Sequence, residues 1–283
     1  MRHAPRPARR ASVAKTPAKT LANAPRSTRG ADYQRVPRPV AAMARDLPPD
    51  YEIAWHSHPR YQLVYGAQGV MTVDTRSDTW VVPPQRAVWV PPQVEHRILT
   101  TGQVQFRTLY IREDAARGMP QQCRAFAVTP LLRELVLRAT ELPVEYDEAG
   151  PEGRVMQMIL DELASLAALP YNLPMPASSV LERICRDYLA RPNERVTLEA
   201  LGERHGTTTR TLARHFRRET GMSFSEWRRR ARLLRALAWI AEGRPILGVA
   251  LDLGYDSPSA FSAMFKREFG VPPTTYRHEM HHA

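Results

Sequence analysis

The sequence predicts an α+β fold with two domains, a strand-rich N-terminal domain followed by an all-helical C-terminal domain. Residues 51–112 contain short runs rich in β-branched and aromatic residues, separated by Gly, Pro and Asp, which is typical of a sandwich or barrel. Residues 179–283 carry apolar residues at helical spacing, with glycines where helices would end. A chain of 283 residues is long enough to bury a core in each domain.

The net charge of +11 is unevenly distributed along the chain. Residues 1–45 carry +10, residues 46–177 carry −5 and residues 178–283 carry +6. An acidic middle segment followed by a basic end is what a sensor fused to a nucleic-acid reader would show, although composition alone leaves other pairings open.

The first segment, residues 1–45, is predicted to be a disordered basic tail. It is rich in Ala, Pro, Arg and Ser, and its first 30 residues contain no large apolar cluster that would offset the entropy cost of folding. The favoured interpretation is a solvated tail that adds nonspecific affinity for DNA. An organellar transit peptide and an over-extended start are the alternatives.

Cysteine usage and hydropathy indicate the compartment. Cys123 and Cys185 lie far apart and lack metal-ligand spacing, so no disulfide framework is predicted and a reducing compartment fits. No apolar run approaches the roughly 18 residues that cross a bilayer, and the N-terminus lacks the apolar stretch of a secretory signal. We therefore expect a soluble, cytoplasmic protein with no membrane partner.

The N-terminal domain is predicted to be a β-barrel over residues 46–127, with strands at YQLVY, VMTV, TWVVP, AVWVP and QFRTLYI. A helical segment follows over residues 128–170, because residues 131–142 and 154–169 place apolar residues at the spacing of a helical hairpin. The apolar stripe of this hairpin would either form a dimer interface that relays signals or cover the barrel. Its members are Leu131, Leu135, Leu142, Ile159, Leu163 and Leu166.

The C-terminal domain, residues 179–283, is separated from the hairpin by a predicted linker over residues 171–178. Pro170, Pro174 and Pro176 mark this linker. The domain is expected to contain helices at residues 179–190, 197–205, 208–219, 224–242, 246–253, 257–269 and 273–279.

The helical domain repeats one unit twice. Each copy has a helix of about two turns, a tight turn at Gly206 or Gly254, and a longer helix, which is the pattern of a helix-turn-helix motif. Ser223 and Glu226 have the spacing of a capping box and predict where the helix between the two copies starts. The sequence therefore predicts two helix-turn-helix units.

Both units resemble those of AraC-type transcription regulators. The first is TLEALGERHGTTTRTLARHFRRETG and the second is VALDLGYDSPSAFSAMFKREFGVPPTTYR, so the resemblance covers roughly residues 178–279. The matching positions of the second unit are Gly254, Tyr255, Phe261, Phe265, Lys266, Phe269, Gly270, Pro273 and Arg277. The resemblance implies a transcription regulator that binds double-stranded DNA.

The long helix of the first unit has an outward face suited to reading bases. Leu212 and Phe216 form its inner stripe, while Arg210 and Arg214 lie on other faces. Arginine binds guanine O6 and N7 in the major groove, so we assign base readout to these two arginines. The alternative is that they only solvate the helix or contact phosphate. The candidate DNA-contacting residues of this unit are Thr209, Arg210, Arg214 and Arg217.

The second unit has shorter outward side chains. Ser259 and Ser262 are the polar candidates, and Ala263 stands where the family often has a basic residue. Lys266 and Arg267 suit phosphate. We therefore expect the second unit to contribute mainly phosphate contacts, with weak base discrimination.

The helix between the units, residues 224–242, would fix their separation. Such a rigid spacer suits two successive visits to the major groove, about 34 Å apart. Arg228–Arg230 is interpreted as a solvated or phosphate-near face. The apolar positions Trp227, Leu233, Leu237 and Ile240 are interpreted as core.

The strand-rich domain carries a histidine pattern. In HSHPRYQLVYGAQG, His56, His58 and Gln62 are at even spacing, so they point to one side of an extended chain, and His96 in PPQVEH completes the set. This pattern resembles the two motifs of cupin barrels, with coverage of about residues 50–112, and it implies a cupin-like sensory barrel. Gln62 stands where cupins usually have Glu, and Gln93 where Gly is expected.

These four side chains would hold either a metal or an organic effector. Three imidazoles and a carbonyl oxygen suit a divalent transition metal, although a neutral Gln is a poorer ligand than Glu. The alternative is a row of polar groups that hydrogen-bond an organic effector or one another. The neighbouring Arg60, Trp55, Trp80 and Trp89 would line an effector pocket or belong to the barrel core.

The favoured function is a regulator whose cupin-like domain senses a small molecule or a metal and controls DNA binding or activation. We expect a homodimer, and RNA polymerase is considered as a further partner. A metal-dependent cupin enzyme with a DNA-tethering tail is the alternative from another class, but no second catalytic constellation supports it. A nonspecific packaging protein driven by the basic tail is a third interpretation.

Overall fold

The computed structural model describes residues 26–169, 172–190, 197–204, 206–269 and 271–281. The strands within these residues are β1 (Val40–Leu47), β2 (Glu52–His56), β3 (Tyr61–Gly66), β4 (Met71–Thr75), β5 (Asp78–Val82), β6 (Arg86–Val90), β7 (His96–Thr100), β8 (Val104–Ile111), β9 (Arg124–Ala127), β10 (Ala168–Leu169) and β11 (Asn172–Pro174). The α-helices are α1 (Pro130–Ala139), α2 (Pro151–Ser165), α3 (Ser179–Ala190), α4 (Leu198–Arg204), α5 (Thr209–Thr220), α6 (Phe224–Ala241), α7 (Ile246–Asp252), α8 (Pro258–Phe269) and α9 (Pro273–His281).

The N-terminal domain is a sandwich of two open antiparallel sheets, ordered β1-β8-β3-β6-β9-β10 and β11-β5-β4-β7-β2. The sheets share a core in which Val64 and Phe106 of the first meet Val73 and Ile98 of the second. The prediction of a closed barrel is therefore wrong. Closure needs hydrogen bonding around the whole circumference, and no described strand pairs with strands of both sheets.

The predicted disordered tail over residues 1–45 is wrong for its second half, whereas residues 1–25 lie outside the described residues. β1 pairs with β8 along its whole length, from Val40 opposite Ile111 to Leu47 opposite Val104. The buried Arg60 guanidinium donates to backbone carbonyls of the preceding segment, including that of Gln34 at 3.0 Å. The net positive charge of residues 1–45 therefore did not indicate disorder throughout, because the segment includes most of β1, whose apolar side chains enter the core.

The helical hairpin covers the outer face of the six-stranded sheet. Helices α1 and α2 lie against it, and Leu142, Ile159 and Leu163 are buried in the same cluster as Leu63 and Trp89. These three residues are therefore unavailable for the predicted dimer interface. Leu131, by contrast, is 49% exposed. The second helix ends before the predicted residue 169, because Ala168 and Leu169 pair with β9.

The helical domain follows the predicted bounds to within two residues. Its core surrounds the buried Trp227, and the capping box of Ser223 and Glu226 starts α6 as predicted. No helix in the described ranges is long and apolar enough to cross a membrane.

The predicted linker joins the two domains structurally. Asn172–Pro174 is strand β11 and pairs with β5 of the sandwich. Leu173 is nevertheless buried in the core of the helical domain, and the Trp227 indole Nε1 donates to the Pro174 carbonyl at 2.7 Å. Prolines at the edge of a sheet cost no ladder hydrogen bond when their nitrogen faces away from the neighbouring strand. The prolines that predicted a linker therefore belong in part to an edge strand.

Candidate functional site

Three histidines converge at one end of the space between the sheets. His56 ends β2 and His96 begins β7, where they face each other in the strand register. His58 lies in the connection between β2 and β3. One candidate ligand nitrogen from each of the three lies within 4.8 Å of the other two. The structure therefore brings together the histidines that the sequence pattern selected.

Each imidazole is oriented by a backbone carbonyl oxygen two residues away. The distance from Nδ1 to that oxygen is 2.8 Å at His56, 2.7 Å at His58 and 2.9 Å at His96. A carbonyl oxygen only accepts, so Nδ1 carries the proton. Burial lowers the pKa of His58, and it lowers the pKa of His96 to about 3, so both rings are neutral near pH 7. Their Nε2 atoms therefore present lone pairs.

Gln62 lies between these lone pairs. Its Oε1 is 2.9 Å from Nε2 of His58 and 3.0 Å from Nε2 of His96, while its Nε2 donates to Thr108 Oγ1 and to the Tyr110 hydroxyl. In this orientation three acceptor atoms face one another, which favours a cation between them. A half-turn of the amide would instead direct its NH₂ group toward both imidazoles and satisfy them without a ligand.

The donor set consequently fits a divalent transition metal in one orientation of Gln62. His56, His58 and His96 would hold the ion through Nε2, and Gln62 Oε1 would supply an oxygen ligand. The carbonyl contacts at Nδ1 are the outer-shell hydrogen bonds that metal-binding histidines ordinarily make. Nitrogens that share one tetrahedral zinc lie about 3.4 Å apart, so small ring movements would complete the site.

A cavity of about 430 Å³ adjoins the histidine cluster between the sheets. Its polar end contains His56, His58, Gln62 and Tyr110, and its walls include Met43, Arg45, Ile53, Ile98 and Phe106. Sequence reasoning missed Arg45, because the predicted tail ended there, and it also missed Tyr110. The alternation of inward-facing residues along β8 is the signal that would have found Tyr110, whereas the same alternation identifies Arg45 only once β1 is known to be a strand.

The aromatic residues near the histidines have different roles. Trp80 and Trp89 are fully buried core residues, as the alternative interpretation proposed. Trp55 is half-buried and lies under the guanidinium groups of Arg76, at 4.1 Å from the ring centroid, and Arg97. None of these three tryptophans lines the cavity.

The first candidate DNA-binding surface lies on α5. Thr208 caps the helix start by accepting from the Thr211 amide at 3.2 Å. Leu212 and Phe216 are buried, so they anchor the helix on the domain core. The remaining faces carry the predicted DNA-contacting residues. Arg210, Arg214 and Arg217 are exposed, and Thr209 is half-buried.

The helix pairs α4–α5 and α7–α8 are joined by turns of the same geometry. Gly206 has a left-handed φ of 62°, and the amide of Thr207 donates to the Gly202 carbonyl at 2.9 Å. Gly254 has φ 74°, and the corresponding bond, spanning the same five residues, is 3.0 Å long. Glycine suits both turns because other residues rarely adopt positive φ.

The second candidate surface lies on α8, where the outward side chains are short. Ser259, Ala263, Lys266 and Arg267 are exposed, and Ser262 is half-buried. The basic residues sit in the last turn of the helix. The face therefore offers hydroxyl groups near its start and cations near its end.

The arginine run on α6 contacts the protein itself. Arg230 Nη1 donates to the Asn172 carbonyl at 3.2 Å, and Arg229 pairs with Glu268 of α8 at 3.7 Å. Arg228 lies over the Phe224 ring at 5.4 Å. The interpretation of this run as a solvated or phosphate-near face is therefore wrong for Arg230, which joins the helix to β11.

Comparisons with known proteins identify both domains. Residues 201–279 match the family described as "Helix-turn-helix domain", and residues 42–149 match "AraC-like ligand binding domain". The chain is 34% identical over 224 residues to the HTH-type transcriptional regulator NimR of Escherichia coli (strain K12), covering 78% of this chain and 81% of that protein. It is 36% identical over 86 residues to the regulatory protein SoxS of Salmonella typhimurium, covering 30% of this chain and 80% of that protein.

Among solved structures, ToxT from Vibrio cholerae strain SCE256 with bound unsaturated fatty acid matches with a TM-score of 0.35 and 13% identity, covering 84% of this chain and 94% of that chain.

A sheet-rich ligand-binding domain joined to a helical DNA-binding domain defines a transcription regulator that binds a ligand. The chain belongs to the AraC-type family of these regulators, and the resemblance stated from its sequence motifs is confirmed.

Proposed function

We propose that both helix pairs are DNA-reading helix-turn-helix units and that ligand binding in the sandwich controls them. The observation that carries the proposal is the exposed arginine face of α5. Arg210 and Arg214 project from a helix anchored by buried Leu212 and Phe216, and neither arginine forms an ion pair with a described residue. An unpaired guanidinium on a rigid helix is suited to guanine O6 and N7.

Genomic fragment selection with the full-length protein tests this proposal. We expect enrichment of a common sequence, which footprinting then locates as two sites on one face of the duplex. Fragments that share no sequence would support the nonspecific packaging alternative instead.

The two units are proposed to contribute unequally. Thr209, Arg210, Arg214 and Arg217 of α5 supply most base readout, whereas α8 supplies mainly phosphate contacts. Its candidates are Ser259, Ser262, Lys266 and Arg267. Base substitution within each footprinted half-site measures the contribution of each unit. Equal loss of affinity in the two half-sites would contradict this assignment.

The protein is further proposed to act as a cytoplasmic homodimer. The outer face of the hairpin supports a dimer, because Leu131 of α1 and Met158 of α2 are 49% and 47% exposed. Light scattering of the purified protein and of Leu131→Glu tests the dimer; a wild-type monomer at micromolar concentration would reject it.

RNA polymerase is a proposed partner of the DNA-bound form, and pull-down with the bound operator tests this partner.

The sensory role is assigned to the histidine cluster and the adjoining cavity. The first candidate effector for this site is a small organic molecule, and the second is a metal ion. The convergent Nε2 lone pairs of the histidines favour the metal. Elemental analysis of protein purified without added metal or chelator tests it, and absence of metal together with no binding on titration would remove it. We propose regulation rather than catalysis, because NimR, whose similarity covers 78% of this chain, is a transcriptional regulator.

A further inference from the structure

The cavity between the sheets has one unexpected wall residue, Arg45. On β1 the residues that face the other sheet are Ala41, Met43, Arg45 and Leu47, and the other three are buried in the shared core. Alternation places the Arg45 side chain on that inner face, where an apolar residue is the rule. A charged residue at such a position departs from core packing, and such departures concentrate at functional sites.

Arg45 has no negative partner among the described residues. Its Nη2 donates to the neutral Tyr51 hydroxyl at 2.6 Å, and its guanidinium lies 4.7 Å from the centroid of the same ring. Two acids close to Arg45 in the sequence are paired with other arginines: Asp46 with Arg107 at 3.0 Å, and Glu52 with Arg97 at 3.5 Å. Tyr51 therefore orients the cation without neutralising it.

The rest of the cavity lining adds no negative charge. No Asp or Glu lines it within the described part of the chain, whereas the exposed Arg29 contributes a second cation. The charged residues of the lining other than the histidines are therefore both arginines, and Arg45 lies away from the histidine end.

The space between the two ends is apolar. Met43, Ile53, Ile98 and Phe106 form its walls. Arg45 is opposite Phe106 and Ala41 is opposite Tyr110 in the register of β1 and β8, so the cation and the histidine end are four residues apart, about 13 Å along the strand. A compact apolar body with a polar group at each end fits this arrangement.

We propose that the effector is a small organic anion whose carboxylate-like group binds Arg45 and whose apolar body lies against Met43 and Phe106. A guanidinium binds a carboxylate through two parallel hydrogen bonds, which fix the orientation of the ligand as well as its affinity. The inference rests on the proposed sensory role of this cavity.

Paired carboxylates and amides test the charge requirement. Benzoate, phenylacetate and hexanoate are titrated into the full-length protein beside benzamide, phenylacetamide and hexanamide, with binding followed by calorimetry. We expect at least one carboxylate to bind about tenfold or more tightly than its amide, as expected for a hydrogen bond between charged groups. Equal affinity within every pair, or binding of no carboxylate, would overturn the proposal.

Variants locate the anion. Arg45→Gln should weaken carboxylate binding about tenfold or more while leaving amide binding unchanged, and Arg45→Lys should retain part of the affinity. Arg107→Gln is the matched control, because Arg107 lies on the adjacent strand with its side chain on the opposite face. Equal carboxylate affinities in Arg45→Gln and Arg107→Gln would overturn the assignment.

The DNA readout separates this inference from the proposed function. Footprinting of the wild-type protein is carried out with and without the carboxylate that binds. If the protein gives sequence-specific footprints but binds no carboxylate, the anionic effector is rejected and the proposed DNA binding is retained. Carboxylate binding at Arg45 without any effect on the footprint retains the ligand class and rejects the proposed control of DNA binding.

Discussion

His96 is a neutral imidazole enclosed by protein, and its protonation should couple to folding. Burial lowers its pKa to about 3 in the folded chain, against an ordinary value near 6.5 in the unfolded chain. The unfolded state therefore takes up the proton first as the pH falls. The stability due to neutral His96 is fully present above pH 6.5 and is lost progressively toward pH 3.

We accordingly expect chelator-treated protein to lose free energy of unfolding below pH 6.5, with His96 contributing up to about 1.4 kcal/mol per pH unit. Urea unfolding of the wild type and of His96→Gln at several pH values measures this contribution. His58 also has a lowered pKa, so the variant should retain part of the slope. A wild-type slope identical to that of the variant would contradict the prediction.

Arg214 on α5 is predicted to read a base. Arg214→Ala should cost about 1–3 kcal/mol of binding to the selected site and relax the sequence preference at one position. Lys266→Ala is the matched comparison on α8, and it should weaken binding evenly across sequences. It should also reduce the slope of log affinity against log salt concentration by about one. Competition assays with single-base variants of the site measure both effects. Uniform weakening by Arg214→Ala would assign that residue to phosphate.

At the scale of elements, the turn of the first helix pair depends on close backbone approach. A Cβ at Gly202 would lie 2.7 Å from the Thr207 carbonyl oxygen, whereas a Cβ at Gly248 of α7 would meet nothing within 4 Å. Gly202→Ala should therefore displace α5 and weaken both folding and DNA binding. Gly248→Ala should be neutral or stabilise α7 by up to about 1 kcal/mol.

Thermal unfolding and gel-shift titration of the two glycine variants measure these effects. Because the substitutions are chemically identical, the difference between them isolates the turn. Equal behaviour of the two variants would show that the close contact relaxes at little cost.

The helices were predictable because their sequence signals are local. Periodic apolar residues, the capping box at Ser223 and Glu226, and the glycines of the turns all act within a few residues. The tail strand β1 was not predictable in this way, since its pairing with β8 joins residues 57 to 71 positions apart. Arg45 could be recognised only once that strand was known, because what distinguishes it is that its side chain faces inward.

The histidine cluster was predictable from its sequence spacing. The orientation of the Gln62 amide was not, because it depends on Thr108 and Tyr110 of β8.

At the scale of the whole molecule, removal of residues 1–25 and removal of residues 1–45 should have different consequences. The longer deletion removes most of β1 and the carbonyl oxygens that satisfy the buried Arg60 guanidinium. We expect it to lower the unfolding temperature markedly and to abolish ligand binding. The shorter deletion should leave sequence-specific DNA binding intact and reduce only nonspecific affinity. Thermal unfolding and DNA binding at two salt concentrations distinguish these outcomes.

Strand β11 has a consequence for building hybrid regulators from this family. It pairs with the sandwich, yet its side chain Leu173 belongs to the helical core and its Pro174 carbonyl satisfies the Trp227 indole. A chimaera joined at residue 178 would combine a foreign edge strand with the native Trp227 and leave a gap where Leu173 packs. The natural junction for exchanging sensors lies between Leu169 and Asn172. Strand β10 then stays with its partner β9, β11 is transferred together with the helical domain, and residues Asp78–Trp80 of the strand that pairs with β11 are matched to it.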